Sequence, residues 1–245
     1  MEFKLANKVA LVVLAMSGAA FAQTKAPEPD YTLSFNVGAV SDYRYRGISQ
    51  TRLKPALQGG ADFAHKSGFY LGTWASTIKW IKDAGGDAPV ELDLYGGYKF
   101  DLRAVGLDVG ALRYQYIGHD MPLSPNTTEI YGAGTFGPLT LKYSHAVTNL
   151  FGFADSKNSY YLDASATFDI GSGFSLVPHI GYQKVKNNSS DSYTDYSVTL
   201  GKDFGNGLTA SAAVAATDVK HQHYIAPSGK SLGKTGLVVG AKYTF

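Results

Sequence analysis

Apolar residues alternate with polar ones at a period of two, in segments of about ten residues repeated along most of the chain, and this pattern limits the possible folds most strongly. At 31–39, Tyr31, Leu33, Phe35, Val37 and Ala39 share one face of an extended strand, and Thr32, Ser34, Asn36 and Gly38 share the other. The alternation returns at 57–63, 90–99, 139–144, 160–168 and 208–214. Counted over the chain, about twelve segments begin near 31, 56, 68, 89, 105, 127, 139, 159, 174, 193, 208 and 235. The segment at 105 is the least regular. Val105, Leu107 and Val109 alternate, but Arg113 and Gln115 then fall on the apolar side while Tyr114 and Tyr116 do not. A β-bulge or an early end to the apolar zone would account for this.

The connections alternate in length. Tight turns at 65–68, 101–104, 137–138, 169–173 and 205–207 are interleaved with long connections at 42–55, 77–88, 117–126, 148–158, 184–192 and 218–234. Five short turns on one rim and six long loops on the other describe a meander with both ends on the short-turn side. Greek-key links in a soluble sandwich would not sort loop lengths in this way. Composition agrees. Charged residues make up 17% of the chain, against roughly 25% in ordinary soluble domains. With 28 Gly, 17 Tyr and 13 Phe, the pattern points to an all-β protein with an unusually apolar surface. A net charge of +2 gives no argument for a nucleic-acid partner, and the lack of cysteine excludes disulfides and Cys-ligated metal.

Residues 1–22 read as a secretory signal peptide. Lys4 and Lys8 precede the apolar run 9–16, and Ala20-Phe21-Ala22 supplies a small-x-small cleavage pattern before Gln23. Residues 23–245 then form one domain, expected to be a transmembrane, antiparallel, up-and-down β-barrel of about twelve strands in the outer membrane. Lipid offers no hydrogen-bond partners, so a sheet can persist there only if it closes. The apolar face would meet lipid and the polar face would line the lumen. At the C-terminus, Leu237, Val239, Ala241, Tyr243 and Phe245 alternate to the last residue. Tyr243 and Phe245 resemble the signal read by the outer-membrane insertion machinery.

Three stretches carry a family resemblance: 41–51 (Ser-Asp-Tyr-Arg-Tyr-Arg-Gly-Ile-Ser-Gln-Thr), 55–60 with 68–76, and 91–97 (Glu-Leu-Asp-Leu-Tyr-Gly-Gly). The chain resembles the TorF family of outer-membrane porins, most specifically over residues 40–100. The resemblance implies an outer-membrane barrel with a channel role and names no substrate.

Strand parity places Asp62, Glu91, Asp93, Asp108, Glu129, Lys142, Asp163, His179 and Lys242 on the lumen side, with Lys99. Acidic rings would favour cations, whereas acid–lysine pairs would plug the bore. Twelve strands fall between filled eight-stranded and open sixteen-stranded barrels. The long loops lean basic. Arg44, Arg46, Arg52 and Lys54 are expected at the external mouth, where they would attract anionic solutes or hold lipopolysaccharide phosphates. The tyrosines of Tyr43-Arg44-Tyr45-Arg46 read as an extension of the first strand into the interface.

No enzyme is expected. The six histidines are scattered and no Gly-x-Ser-x-Gly motif occurs. His221-Gln222-His223 is at best half a metal site, so neither metal nor cofactor is expected. The expected function is a porin-like channel for passive diffusion of small hydrophilic solutes. The alternatives are a non-conducting structural or adhesion barrel that binds a surface partner through its loops and, third, an outer-membrane hydrolase.

Overall fold

The computed structural model describes residues 29–220 and 223–245. The expected signal segment at 1–22 and His221 lie outside the described residues. Twelve antiparallel strands form one closed sheet. They are β1 (Tyr31–Val40), β2 (Ala56–His65), β3 (Phe69–Thr77), β4 (Val90–Leu102), β5 (Val105–Gln115), β6 (Thr127–Phe136), β7 (Leu139–Ala146), β8 (Tyr160–Ala166, resumed as Phe168–Gly171), β9 (Phe174–Lys184), β10 (Tyr193–Gly205), β11 (Leu208–Thr217) and β12 (Gly236–Thr244). Each strand pairs with its neighbours in sequence, and β12 closes on β1 with Asn36 opposite Thr244 and Val40 opposite Gly240. Phe35 and Phe245 complete the seam by exchanging both backbone hydrogen bonds at 2.9 Å.

The expected faces are realised. Leu57, Leu71, Leu94, Ile130, Val198 and Leu237 stand exposed on the outer wall, Leu57 at 67% and Leu94 at 48%. Such a continuous apolar belt suits lipid, which also explains the low charge content. The irregularity in β5 is not a bulge, because its pairing with β4 and β6 runs without a register shift from Leu102↔Val105 to Tyr114↔Thr127. Arg113 does face outward, where it donates to Gln115 at 3.1 Å and to Thr128 at 2.9 Å. The apolar zone simply ends early on this sector.

The buried apolar residues gather at the long-loop end rather than midway along the barrel. Tyr43, Ile78, Ile81 and Tyr116 form one cluster with Trp74 and Trp80, Ile48 packs with Tyr193 and Leu232, and Leu150 packs with Val185. One short helix, α1 (Trp80–Asp83), contributes to this lid.

Tyrosines line part of the inner wall. Tyr70 lies directly across from Gly97, Gly97 from Gly110, and Gly110 from Tyr131. A Cβ at Gly110 would lie 2.6 Å from the Tyr131 hydroxyl, so the absence of a side chain there lets the ring lie flat against the sheet. The Tyr70 and Tyr131 hydroxyls then meet over the two glycines, and Tyr70 also donates to Asp108 at 2.6 Å.

Candidate functional site

The connection from β1 to β2 does not continue outward. Arg44–Tyr45 pairs with Ile48–Ser49 in a small hairpin whose tip, Arg46 and Gly47, has φ of 46° and 78°. Two successive left-handed residues make the tight turn that matches strand twist. A side chain at Gly47 would also meet the β10 and β11 wall, its Cβ falling 2.9 Å from that of Asp195. Asp42 braces the hairpin base by accepting from Arg44 Nε at 2.8 Å and from the Ser49 hydroxyl at 2.5 Å.

The tip crosses the bore. Arg46 donates to Glu129 on β6 at 2.7 Å and to Gln183 on β9 at 2.5 Å, and its guanidinium lies 4.2 Å from the Tyr161 ring centroid on β8. The side chains of Arg46 and Glu129 are 6% and 2% exposed, so this is a buried ion pair. Burial opposes the arginine charge, but Glu129 and the hydroxyls of Tyr45 and Tyr114 outweigh it and hold the guanidinium above its ordinary pKa. Tyr45 meets Tyr114 at 2.7 Å, Tyr43 donates to Glu91 at 2.5 Å, and Arg44 reaches the Lys234 carbonyl of the last loop at 2.7 Å. The hairpin is thus tied to β4, β5, β6, β9 and the last loop.

Two cavities follow the bore. The upper one, about 590 Å³, is lined by Arg46, Glu129, Lys142, Asp163 and His179. The lower one, about 580 Å³, is lined by Asn36, Ser211, Lys202 and Lys242. Val40, Gln58 and Trp74 line both, so the two are contiguous. The lower one runs beside the β9–β12 wall and β1, where Gly38, Gly201 and Gly240 leave space, and the upper one spreads across to β5–β8.

The nine residues expected in the lumen divide into two groups. Glu129, Lys142, Asp163, His179 and Lys242 line the cavities. Asp62, Glu91, Asp93 and Asp108 line neither. Tyr95 covers Asp62 at 2.5 Å, Tyr43 and Tyr116 hold Glu91, Tyr70 holds Asp108, and Asp93 is only 8% exposed. Of the four residues expected at the mouth, Arg44 and Arg46 are turned inward instead, because Asp42 and Glu129 supply charged partners there. Arg52 and Lys54 stay on the outer side. Arg52 Nε binds Asp83 at 2.7 Å, and that carboxylate holds the guanidinium above its ordinary pKa. Tyr43 and Tyr45, expected as an interfacial strand extension, belong to the inward hairpin. Asp195 was missed, although its parity with Ser197 and Thr199 marked it as inward-facing.

His179 has Asp163 at 2.8 Å from Nε2 and Asp195 at 3.6 Å from Nδ1. Carboxylates stand at both nitrogens and the Tyr161 hydroxyl lies 3.3 Å from Nε2, so the ring is built into a polar network on the bore wall. His223, the described half of the His-x-His pair, binds Asp191 at 2.7 Å. Among the described residues no cluster of three or more His, Asp or Glu is arranged to hold a metal ion. Tyr243 and Phe245 stack with centroids 6.0 Å apart on the outer surface, beside Phe35.

A closed twelve-stranded barrel with an apolar exterior, a polar bore and an inward loop defines a porin-like β-barrel of the outer-membrane type. The chain belongs to the family described as bacterial protein of unknown function (Gcw_chp), which it matches over residues 24–245. That family is the one shown, and it does not carry the TorF label expected from the motifs at 41–97. No curated protein matches the chain. Among solved structures the chain is similar to the KdgM porin, with a TM-score of 0.57 at 11% identity, covering 86% of this chain and 99% of that one. A KdgM porin in complex with disordered oligogalacturonate gives a TM-score of 0.56 at 11% identity, over 87% and 98% of the two chains. NanC porin gives a TM-score of 0.56 at 12% identity, over 86% and 99%. At these identities the likeness concerns the fold.

Proposed function

We propose that this protein is an outer-membrane, porin-like channel through which small hydrophilic solutes diffuse passively. The observation that carries this reading is the pair of adjoining cavities, lined in part by charged side chains, inside a closed barrel with an apolar exterior. In this reading residues 1–22 direct export, Tyr243 and Phe245 present the barrel to the insertion machinery, and Arg52 and Lys54 meet lipopolysaccharide at the rim. Selectivity follows from the charges left uncovered. Asp62, Glu91 and Asp108 of the β2–β5 wall are bound by tyrosines, Asp93 is buried away from the cavities, and Glu129 is paired with Arg46. Lys142 and Lys242 line the cavities with no carboxylate within 4.0 Å among the described residues, whereas Lys202 donates to the Ser172 carbonyl. Asp169 and Asp203, which also line the lower cavity, accept from the turn N–H groups of Gly171 and Gly205 at 2.8 Å.

Single-channel recording of the refolded protein in a planar bilayer under a salt gradient tests the reading. Discrete steps with an anion preference are expected, weakened by Lys142→Gln and Lys242→Gln. Cation preference would overturn the assignment of selectivity to the lysines. A folded but silent barrel would overturn the channel itself. The inward hairpin favours that second reading, a non-conducting barrel acting through its loops, since Arg46 and Tyr45 occupy the bore.

A further inference from the structure

A third cavity, about 330 Å³, lies above the hairpin and takes residues from all six long connections. Its walls carry Trp80, Phe151, Phe153 and Tyr224, and its floor includes Tyr45 and Gln183, the latter bound to Arg46. The volume is at the small end of the about 300–1,000 Å³ typical of ligand sites, enough for one or two sugar-sized rings. Aromatic side chains present apolar faces with a few polar tips, which suits a ligand with apolar faces and a polar edge. Two polar atoms of lining residues, the Trp80 indole Nε1 and the Asp83 Oδ2, are shielded from water and have no partner. The other Asp83 oxygen is held by Arg52.

The indole N–H can only donate and the carboxylate oxygen can only accept, whereas a hydroxyl does both. A buried polar atom without a partner forfeits its hydrogen bonds to water with nothing in return, so a ligand hydroxyl reached by a small side-chain rotation would relieve a standing penalty. An anionic sugar would instead set its carboxylate near that of Asp83. We propose that this vestibule is a capture site for a neutral carbohydrate, seated directly over the hairpin that narrows the bore. The proposal rests on the channel reading and names a class of solute for it.

The test uses the refolded full barrel in detergent micelles. Trp74→Phe leaves Trp80 as the sole tryptophan reporter, since the chain has two. Maltotriose should produce a saturable change in Trp80 fluorescence, and trigalacturonate should produce none over the same concentration range. In this background Asp83→Asn and, separately, Phe153→Ala should each weaken maltotriose binding by about threefold or more, the loss expected for one hydrogen bond or one ring contact. Heat-modifiable migration on gels verifies that each variant is folded. No saturable response to maltotriose, equal or tighter binding of trigalacturonate, or full affinity in both folded variants would overturn the proposal. The binding readout needs no conductance, so a silent bilayer and an empty vestibule are separate failures.

Discussion

Val198→Arg tests the whole inside–outside assignment. Val198 lies at the middle of β10, 49% exposed on the outer wall, with Pro178 and Val214 directly opposite it on the neighbouring strands. Arginine at the bilayer midplane of a barrel costs about 2–4 kcal/mol, and the cost falls to about 0–1 kcal/mol near the interfaces. Leu94 is also outward-facing, but its cross-strand partner is Arg113, a charged residue already held by hydrogen bonds to Gln115 and Thr128. Leu94→Arg should therefore cost only about 0–1 kcal/mol. Ser197, one residue from Val198, lines the upper cavity with Asp163 and Asp195, so Ser197→Arg should be tolerated. Equilibrium unfolding of the three variants in lipid vesicles, followed by tryptophan fluorescence, gives the ordering. Equal costs at Val198 and Leu94 would refute the depth assignment, and a cost at Ser197 as large as at Val198 would refute the face assignment.

Arg46→Ala removes one partner of a buried ion pair and leaves Glu129 uncompensated, at a cost of about 3–5 kcal/mol held locally in the hairpin. The barrel should still form, because Tyr43, Arg44 and Tyr45 keep their ties, and single-channel conductance should rise above that of the parent. Gly110→Ala should destabilise the folded barrel by about 1–3 kcal/mol, read as a lower denaturant midpoint, because the new methyl meets the Tyr131 ring carbon at 2.7 Å. Phe245→Ala should slow insertion into vesicles containing the assembly machinery while leaving the β1–β12 backbone seam intact once formed, as measured by the time course of folded species on gels.

Strand order and facing were legible because the pleat has a period of exactly two residues, so every strand carries its own statement of which side is apolar. All twelve predicted strands begin close to where they lie in the fold, and even the disordered alternation in β5 correctly marked Arg113 as outward-facing. The same parity put Asp62, Glu91, Asp93, Asp108, Glu129, Lys142, Asp163, His179 and Lys242 on the inner face. Parity says nothing about what covers an inward side chain. Asp108 and Asp163 look alike in sequence, yet Tyr70 reaches over Gly97 to cover the first while the second stays at the edge of a cavity.

The hairpin shows the limit most clearly. Nothing in Asp42-Tyr43-Arg44-Tyr45-Arg46-Gly47 says whether two arginines face water or the bore. Their direction is decided by Glu129, 83 residues away, and by the Lys234 carbonyl, 190 residues away. Alternation, turn chemistry and loop length are local quantities, and by themselves they determined the barrel, its strand count and its two faces. The path through the bore, the burial of the Arg46–Glu129 pair and the vestibule between the six loops exist only when distant segments meet. Tertiary structure alone decided these, because desolvation and charge pairing depend on neighbours in space and not in sequence.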